Sequence, residues 1–192
     1  MSASIRTAEQ LFDRISEDLA WRRKEIVLFN SRIKRHDEFE KTLLRASVAL
    51  LYAHWEGFIK NACGFYLTYL ASKKLSIQQL RPELAALSIR RRLHEVSETK
   101  KIAIQAELVR DMRERSSDRA RIPTGGSAIR TESNLSSTVL AEILTGVGCD
   151  ASRYEPYADL IDDQLVDSRN KIAHGDNSYI RRTEWDELSR QI

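Results

Sequence analysis

Apolar residues recur along the first part of this chain in alternating steps of three and four. Ile5, Ala8, Phe12, Ile15, Leu19, Ile26, Phe29 and Ile33 form one stripe, interrupted once at Arg22, and that period predicts a long N-terminal amphipathic helix. Such a stripe lies either in a bundle core or against a second subunit, and the pattern leaves both uses open. A second stripe, Leu44, Val48, Leu51, Trp55, Phe58, Ala62, Phe65 and Tyr69, predicts a helix from about Glu38 to Lys74. Its aromatic content marks it as the central, most buried element. Pro82 predicts a helix start, with a helix over Glu83 to Ser97 and another from Thr99 to Arg115. Ser, Pro and Gly cluster over residues 116–135 among few core formers, the pattern of a mobile loop. A short helix follows from Ser136 to Thr145, stopped at Gly146 or Gly148. Pro156 is expected in the first turn of the last full helix, which runs to His174 and stops at Gly175-Asp176-Asn177-Ser178. A final helix spans Thr183 to Ile192, with Thr183 as its N-cap.

Composition supports the same picture. Only 7 Gly and 3 Pro in 192 residues leave little room for the many tight turns of a sandwich or barrel. No internal repeat or low-complexity tract occurs, so residues 1–192 are read as a single all-α domain, a helical bundle. Arg6, Glu9, Asp13 and Arg14 interrupt any leader-like apolar run. The longest uncharged stretch, Asn61 to Ser72, falls short of the ~20 apolar residues that cross a bilayer. A cytoplasmic protein without a membrane segment is expected. Cys63 and Cys149 lie far apart in the sequence and form no CxxC pair, so neither a disulfide framework nor a zinc site is suggested.

Charge changes the picture only locally. The net charge of +3 is too small for a protein that coats DNA. Residues 1–150 carry 25 basic and 19 acidic side chains, whereas 151–192 carry 6 and 9. The basic set holds 22 Arg against 9 Lys. That skew suits either phosphate and base contact or a GC-rich genome. Arg113, Arg115, Arg119 and Arg121 lead into the 116–135 loop as candidate RNA contacts, but interleaved Asp111, Glu114 and Asp118 equally describe an ion-paired surface. Gly125-Gly126-Ser127 lacks the lysine of a phosphate-binding loop and follows no strand.

None of His36, His54, His94 and His174 has metal-site spacing, and no metal or other cofactor is expected. His174 stands apart. Asp163, Asp167, Asn170 and His174 follow steps of four, three and four, one polar side of a helix, with Ile161, Leu165 and Ile172 opposite. Arg169 lies five residues before His174, about 140° away on an ideal helix. The two meet only through a distorted helix end or a site shared by two chains. A structural use is also open: Arg169 paired with Asp163, Asp167 or Glu184, and His174 complementing the helix dipole.

Arg169-Asn170-Lys171-Ile172-Ala173-His174 resembles the Arg-x4–6-His signature of HEPN domains. The block Leu51-Tyr52-Ala53-His54-Trp55-Glu56-Gly57-Phe58-Ile59-Lys60 resembles the MAE-type HEPN-like nuclease subfamily, as do Ser133-Asn134-Leu135 and the order of the three blocks. The resemblance spans roughly residues 40 to 185. It implies an all-α HEPN-like bundle that forms a homodimer, with the Arg/His motifs of both chains lining one cleft. It further implies a metal-independent endoribonuclease of toxin–antitoxin or anti-phage systems, with RNA as substrate and an antitoxin or defence-system protein as partner. By that resemblance His174 is the acid/base, Arg169 the phosphate clamp and Asn170 an orienting residue, with Glu56 and Asp167 in support. The chemistry of the residues agrees: an imidazole exchanges protons near neutrality, and a guanidinium fork neutralises charge building on phosphorus. The position two residues after the His, a modified Tyr in some HEPN toxins, is Asp176 here, with Tyr179 off that pattern. The alternative is a catalytically silent HEPN-like module that binds RNA or protein.

Overall fold

Thr7 starts the first helix, α1 (Ala8–Asn30), by a reciprocal capping box: its hydroxyl accepts from the Gln10 N–H, and the Gln10 side chain accepts from the Thr7 N–H. The computed structural model describes residues 5–35, 38–125, 128–132 and 134–192, so His36, Gly126, Ser127 and Ser133 of the sequence reading lie outside the described residues. Helix α2 (Glu40–Ser72) follows, then a 3₁₀ turn at Ile77–Gln79, α3 (Pro82–Ser88), α4 (Arg90–Ser97), α5 (Ile102–Glu114) and α6 (Ser137–Gly146). A 3₁₀ helix (Ser152–Tyr157), a π-helix (Leu160–Asp167), α7 (Ser168–Ala173) and α8 (Arg182–Gln191) complete the chain. Among the described residues there is no strand, only an isolated bridge between Ser76 and Arg119. The all-α bundle is as expected. No described helix is long and apolar enough to cross a membrane.

Helix α2 buries Leu44, Ser47, Val48, Leu51, Tyr52, His54, Ile59, Cys63 and Leu67 over more than half its circumference and leaves Lys41, Thr42, Ala46 and Ala53 exposed, as a central helix with one open side does. Helix α1 packs along it within the same chain, with Ile15, Leu19, Ile26 and Phe29 of the stripe half-buried and Ala8 and Phe12 exposed. The two residues that α1 itself buries are polar, Asp18 and Arg22. Arg22, the gap in the apolar stripe, is thus the centre of the contact. Its Nε donates to Asp18 at 2.8 Å, and its Nη1 donates to the His54 carbonyl of α2 at 3.1 Å. Gly57 makes room for it: a Cβ there would stand 2.6 Å from Arg22 Nη1. At the other end of α1, Asn30 accepts from Trp185 Nε1 (3.1 Å) and Arg182 Nη2 (3.0 Å), so α8 closes the bundle with Trp185 fully buried.

Four local expectations are corrected. The helix expected over Glu83–Ser97 breaks at Ile89 (φ −111°, ψ 13°), because α3 packs on α6 whereas α4 packs on α5. Pro156 sits inside the 3₁₀ helix, ahead of the final helical stretch and not in its first turn. The N-cap of α8 is Arg181 and not Thr183, because the Glu184 carboxylate accepts from the Arg181 N–H at 2.9 Å. The 116–135 segment holds core residues after all: Ala120, Ile122, Ala128, Ile129, Thr131 and Leu135 are buried. They escaped notice because coil has no period to reveal its inward positions.

Candidate functional site

The site is built on one face of α2. Lys41, Arg45, Tyr52 and Glu56 follow in steps of four, seven and four, which places them within about 60° around the helix axis. His54, Gly57 and Asn61 point the opposite way, toward α1. His54 Nε2 stands 2.7 Å from Glu25 Oε2, outside hydrogen-bond alignment, and the His54 ring meets Trp21 edge-on at 5.2 Å. The Leu51–Lys60 block therefore serves two faces at once: His54 and Gly57 seat α1, and Tyr52 and Glu56 organise the site.

Tyr52 is the pivot. The Arg169 guanidinium lies over its ring, 3.9 Å from the centroid, a close cation–π contact. The Tyr52 hydroxyl accepts the Leu135 N–H at 2.8 Å, joining the third sequence block to the second. Burial pushes the Tyr52 hydroxyl above its ordinary value, with the Glu56 charge adding to this and the Leu135 and Arg169 contacts opposing it. One turn on, Glu56 accepts a short hydrogen bond from the Thr131 hydroxyl, holding the coil before α6 against α2. Asn170 Oδ1 accepts from Arg169 Nη1 at 2.8 Å, fixing the fork from its own helix.

The approach to α7 differs from an ideal helix. Buried residues fall at Leu160, Ile161, Leu165 and Val166, pairs five apart, as i→i+5 hydrogen bonding requires. Asp163 and Asp167 consequently leave the α-helical line that would join them to Asn170 and His174. Asp162 instead turns to α6, accepting from the Ser137 N–H at 2.7 Å. Asp167 pairs with Lys171 on the outer surface at 2.6 Å. The spacing of Leu160-Ile161 and Leu165-Val166 carried this signal in the sequence.

Helix α7 ends in a Schellman motif. The Gly175 N–H bonds to the Ile172 carbonyl (3.1 Å) and the Asp176 N–H to the Lys171 carbonyl (2.9 Å), with Gly175 at φ +83°. This leaves His174 at the C-cap and solvent-exposed. Arg169 is half-buried over Tyr52, whereas His174 is exposed at the helix end.

Beside Gly175 the structure opens a cleft of about 300 Å³ lined by Lys41, Thr42, Arg45, Gly175 and Asn177. Lys41 and Arg45 were missed in the sequence, although their spacing from Tyr52 and Glu56 marks the shared face. The candidate arginines Arg113, Arg115, Arg119 and Arg121 lie elsewhere. Residues 116–120 are tied to residues 75–78, past the far end of α2 and more than about 40 Å of helix from Lys41 at 1.5 Å per residue. Arg115 is also paired with Asp118 at 2.8 Å. Among the described residues no group of three or more His, Cys, Asp or Glu side chains is placed to hold a metal. Burial raises the Cys63 thiol to about 11, and Cys149 is exposed.

The profile of a family described as HEPN_MAE_28990-like HEPN matches residues 11–192. The chain belongs to this HEPN family. Comparison with curated proteins and with solved structures gave no match. The match begins inside α1, so the HEPN unit takes in the N-terminal helix as well as the three sequence blocks.

Proposed function

We propose that this HEPN protein is a metal-independent endoribonuclease. The observation that carries the proposal is the preparation of Arg169. Its guanidinium is held by the Tyr52 ring on one side and by Asn170 on the other, a few residues from an exposed His174 at a sharply capped helix end. A fork held at fixed geometry before substrate arrives stabilises a phosphorane-like transition state without reorganising. In the reaction, His174 exchanges the proton of the 2′-hydroxyl or of the leaving group. The 2′-oxygen bonds to phosphorus as the bond to the 5′-oxygen breaks, leaving a 2′,3′-cyclic phosphate and a 5′-hydroxyl. Asn170 orients Arg169, and Glu56 positions the Thr131 strap behind Tyr52. An exposed His174, on a helix end where Arg169 lies about 140° away by ideal geometry, is the placement that a cleft shared by two chains would use. A role in prokaryotic toxin–antitoxin or anti-phage defence is part of the same proposal, as are a cytoplasmic location and an antitoxin or defence-system partner.

Purified protein is expected to cut labelled cellular RNA in EDTA, with His174→Ala or Arg169→Ala lowering the rate by at least about 100-fold, the usual scale for one acid/base group. Cutting by either variant at the wild-type rate would remove that residue from the mechanism. A second reading, a silent module that binds RNA or protein, is favoured by the acidic surroundings of His174, where Asp167 and Asp176 are both exposed. It predicts RNA binding without turnover, unchanged in His174→Ala.

A further inference from the structure

We infer that the cleft between the first turns of α2 and the segment after α7 binds one nucleotide of single-stranded RNA beside the scissile phosphate, with Lys41 and Arg45 on its phosphate and Tyr179 under its base. The inference deepens the endoribonuclease reading and rests on it for the neighbouring reaction centre. Three observations converge. First, the cleft holds about 300 Å³, and no residue lining it is acidic. That volume is at the small end for ligand pockets, room for a nucleotide and too little for a duplex. Second, both cations are steadied by neutral oxygens, which leave their charge intact. Lys41 Nζ donates to Asn177 Oδ1 at 3.0 Å, and Arg45 Nη1 donates to the Ser178 carbonyl at 3.3 Å. Third, Tyr179 is 66% exposed with its ring centroid 5.9 Å from Lys41 Nζ. An exposed aromatic face a few ångströms from a cation matches the way one nucleotide presents a base beside its phosphate.

Position ties the cleft to the chemistry. Gly175 lines it and follows His174 directly in the chain. Arg45 and Tyr52 share a face of α2 at a spacing of about 10 Å, so Arg169 on Tyr52 and the cleft lie along one track. A strand following α2 meets the Arg169 fork and then the Lys41–Arg45 pair. The basic cleft also offsets the acidic residues around His174. Stacking on Tyr179 is sequence-tolerant, since every base has a π-face.

The test uses full-length His174→Ala protein, to prevent cutting, and a fluorescein-labelled single-stranded RNA 12-mer of mixed sequence. Anisotropy is read between 50 and 200 mM salt. Lys41→Gln and Arg45→Gln are each expected to weaken binding about 3- to 10-fold and to lower the salt slope by about one. Tyr179→Leu is expected to weaken it about fivefold or more with the slope unchanged, and Tyr179→Phe to keep wild-type affinity, because stacking needs the ring alone. Lys100→Gln, in the α4–α5 turn, controls for general surface charge and is expected to change affinity less than twofold. Binding of the Lys41→Gln/Arg45→Gln/Tyr179→Leu protein within twofold of its parent at an unchanged slope overturns the inference, as does absence of RNA binding by the parent. Cleavage by the otherwise wild-type protein in EDTA separates the two proposals. Cutting with no effect of the cleft substitutions on binding leaves the nuclease reading and removes the subsite. No cutting, with binding lost on cleft substitution, does the reverse.

Discussion

Single residues decide how α1 is held. Asp18 and Arg22 bury a charge pair in the α1–α2 contact, and such a pair is costly to break because the survivor is left buried and unpaired, at about 3 kcal/mol. Burial alone would raise the Asp18 carboxyl, but hydrogen bonds from Arg22, Asn61 and Trp21 outweigh it and hold the group below its ordinary 3.8. A carboxylate lowered in the folded state adds stability that is present above that ordinary value and is lost as pH falls through it toward the folded value. The stability gap between wild type and Asp18→Asn should therefore be widest at neutral pH and shrink below pH 3.8, as thermal unfolding across pH can show. A gap that stays constant down to about pH 2.5 would mean the pair is not charged as described. Gly57 tests the same contact from the other side. Ala in place of helical Gly gains up to about 1 kcal/mol of helix propensity, but here its Cβ strikes the Arg22 guanidinium. The loss of the pair outweighs the gain, so Gly57→Ala should destabilise by about 2 kcal/mol in denaturant unfolding. In an Arg22→Ala background the clash is absent, and the same change should stabilise by up to about 1 kcal/mol. The same sign in both backgrounds would show that Gly57 does not seat Arg22.

Among the elements, the stretch from the π-helix to the Schellman turn does most to present the motif. The π-helix lets Leu160, Ile161, Leu165 and Val166 all face the core and delivers α7 with Arg169 against Tyr52. The Schellman turn then releases the chain so that Gly175 and Asn177 reach the α2 cleft. Gly175 adopts its φ of +83° without the strain a side chain would add, and no neighbour lies within 4 Å of a Cβ there. Only backbone strain opposes a substitution. Gly175→Ala should cost about 1 kcal/mol and Gly175→Asn distinctly less, with RNA cleavage falling more in the Ala variant. Equal stability of the two would place the turn outside the left-handed region.

At the scale of the molecule, the exposed His174 and the proposed shared cleft make a prediction about assembly. A cleft shared by two chains requires a particle of twice the 22.1 kDa chain mass, visible by sedimentation at micromolar concentration. Mixing Arg169→Ala with His174→Ala protein should restore part of the cleavage that neither variant shows. A monomer that cleaves RNA at full rate would end the shared-cleft proposal, leaving the single chain to supply both groups.

Sequence by itself determined the helices with a strong 3.6 period, the central rank of α2, and a motif at the end of the last long helical stretch. These follow from local periodicity and capping, which neighbouring residues dictate. It also singled out Arg22 as the break in the α1 stripe, without the reason. Tertiary structure decided the rest, because each remaining feature depends on residues far apart in the chain. Arg22 is buried because Gly57 and the His54 carbonyl lie opposite it. Tyr52 becomes a platform because Arg169 and Leu135 arrive from two later segments. Lys41 and Arg45 face Gly175, Asn177 and Ser178 across more than 130 residues. Such pairings leave no local period, and only the packing of α2 against the end of the chain brings them together.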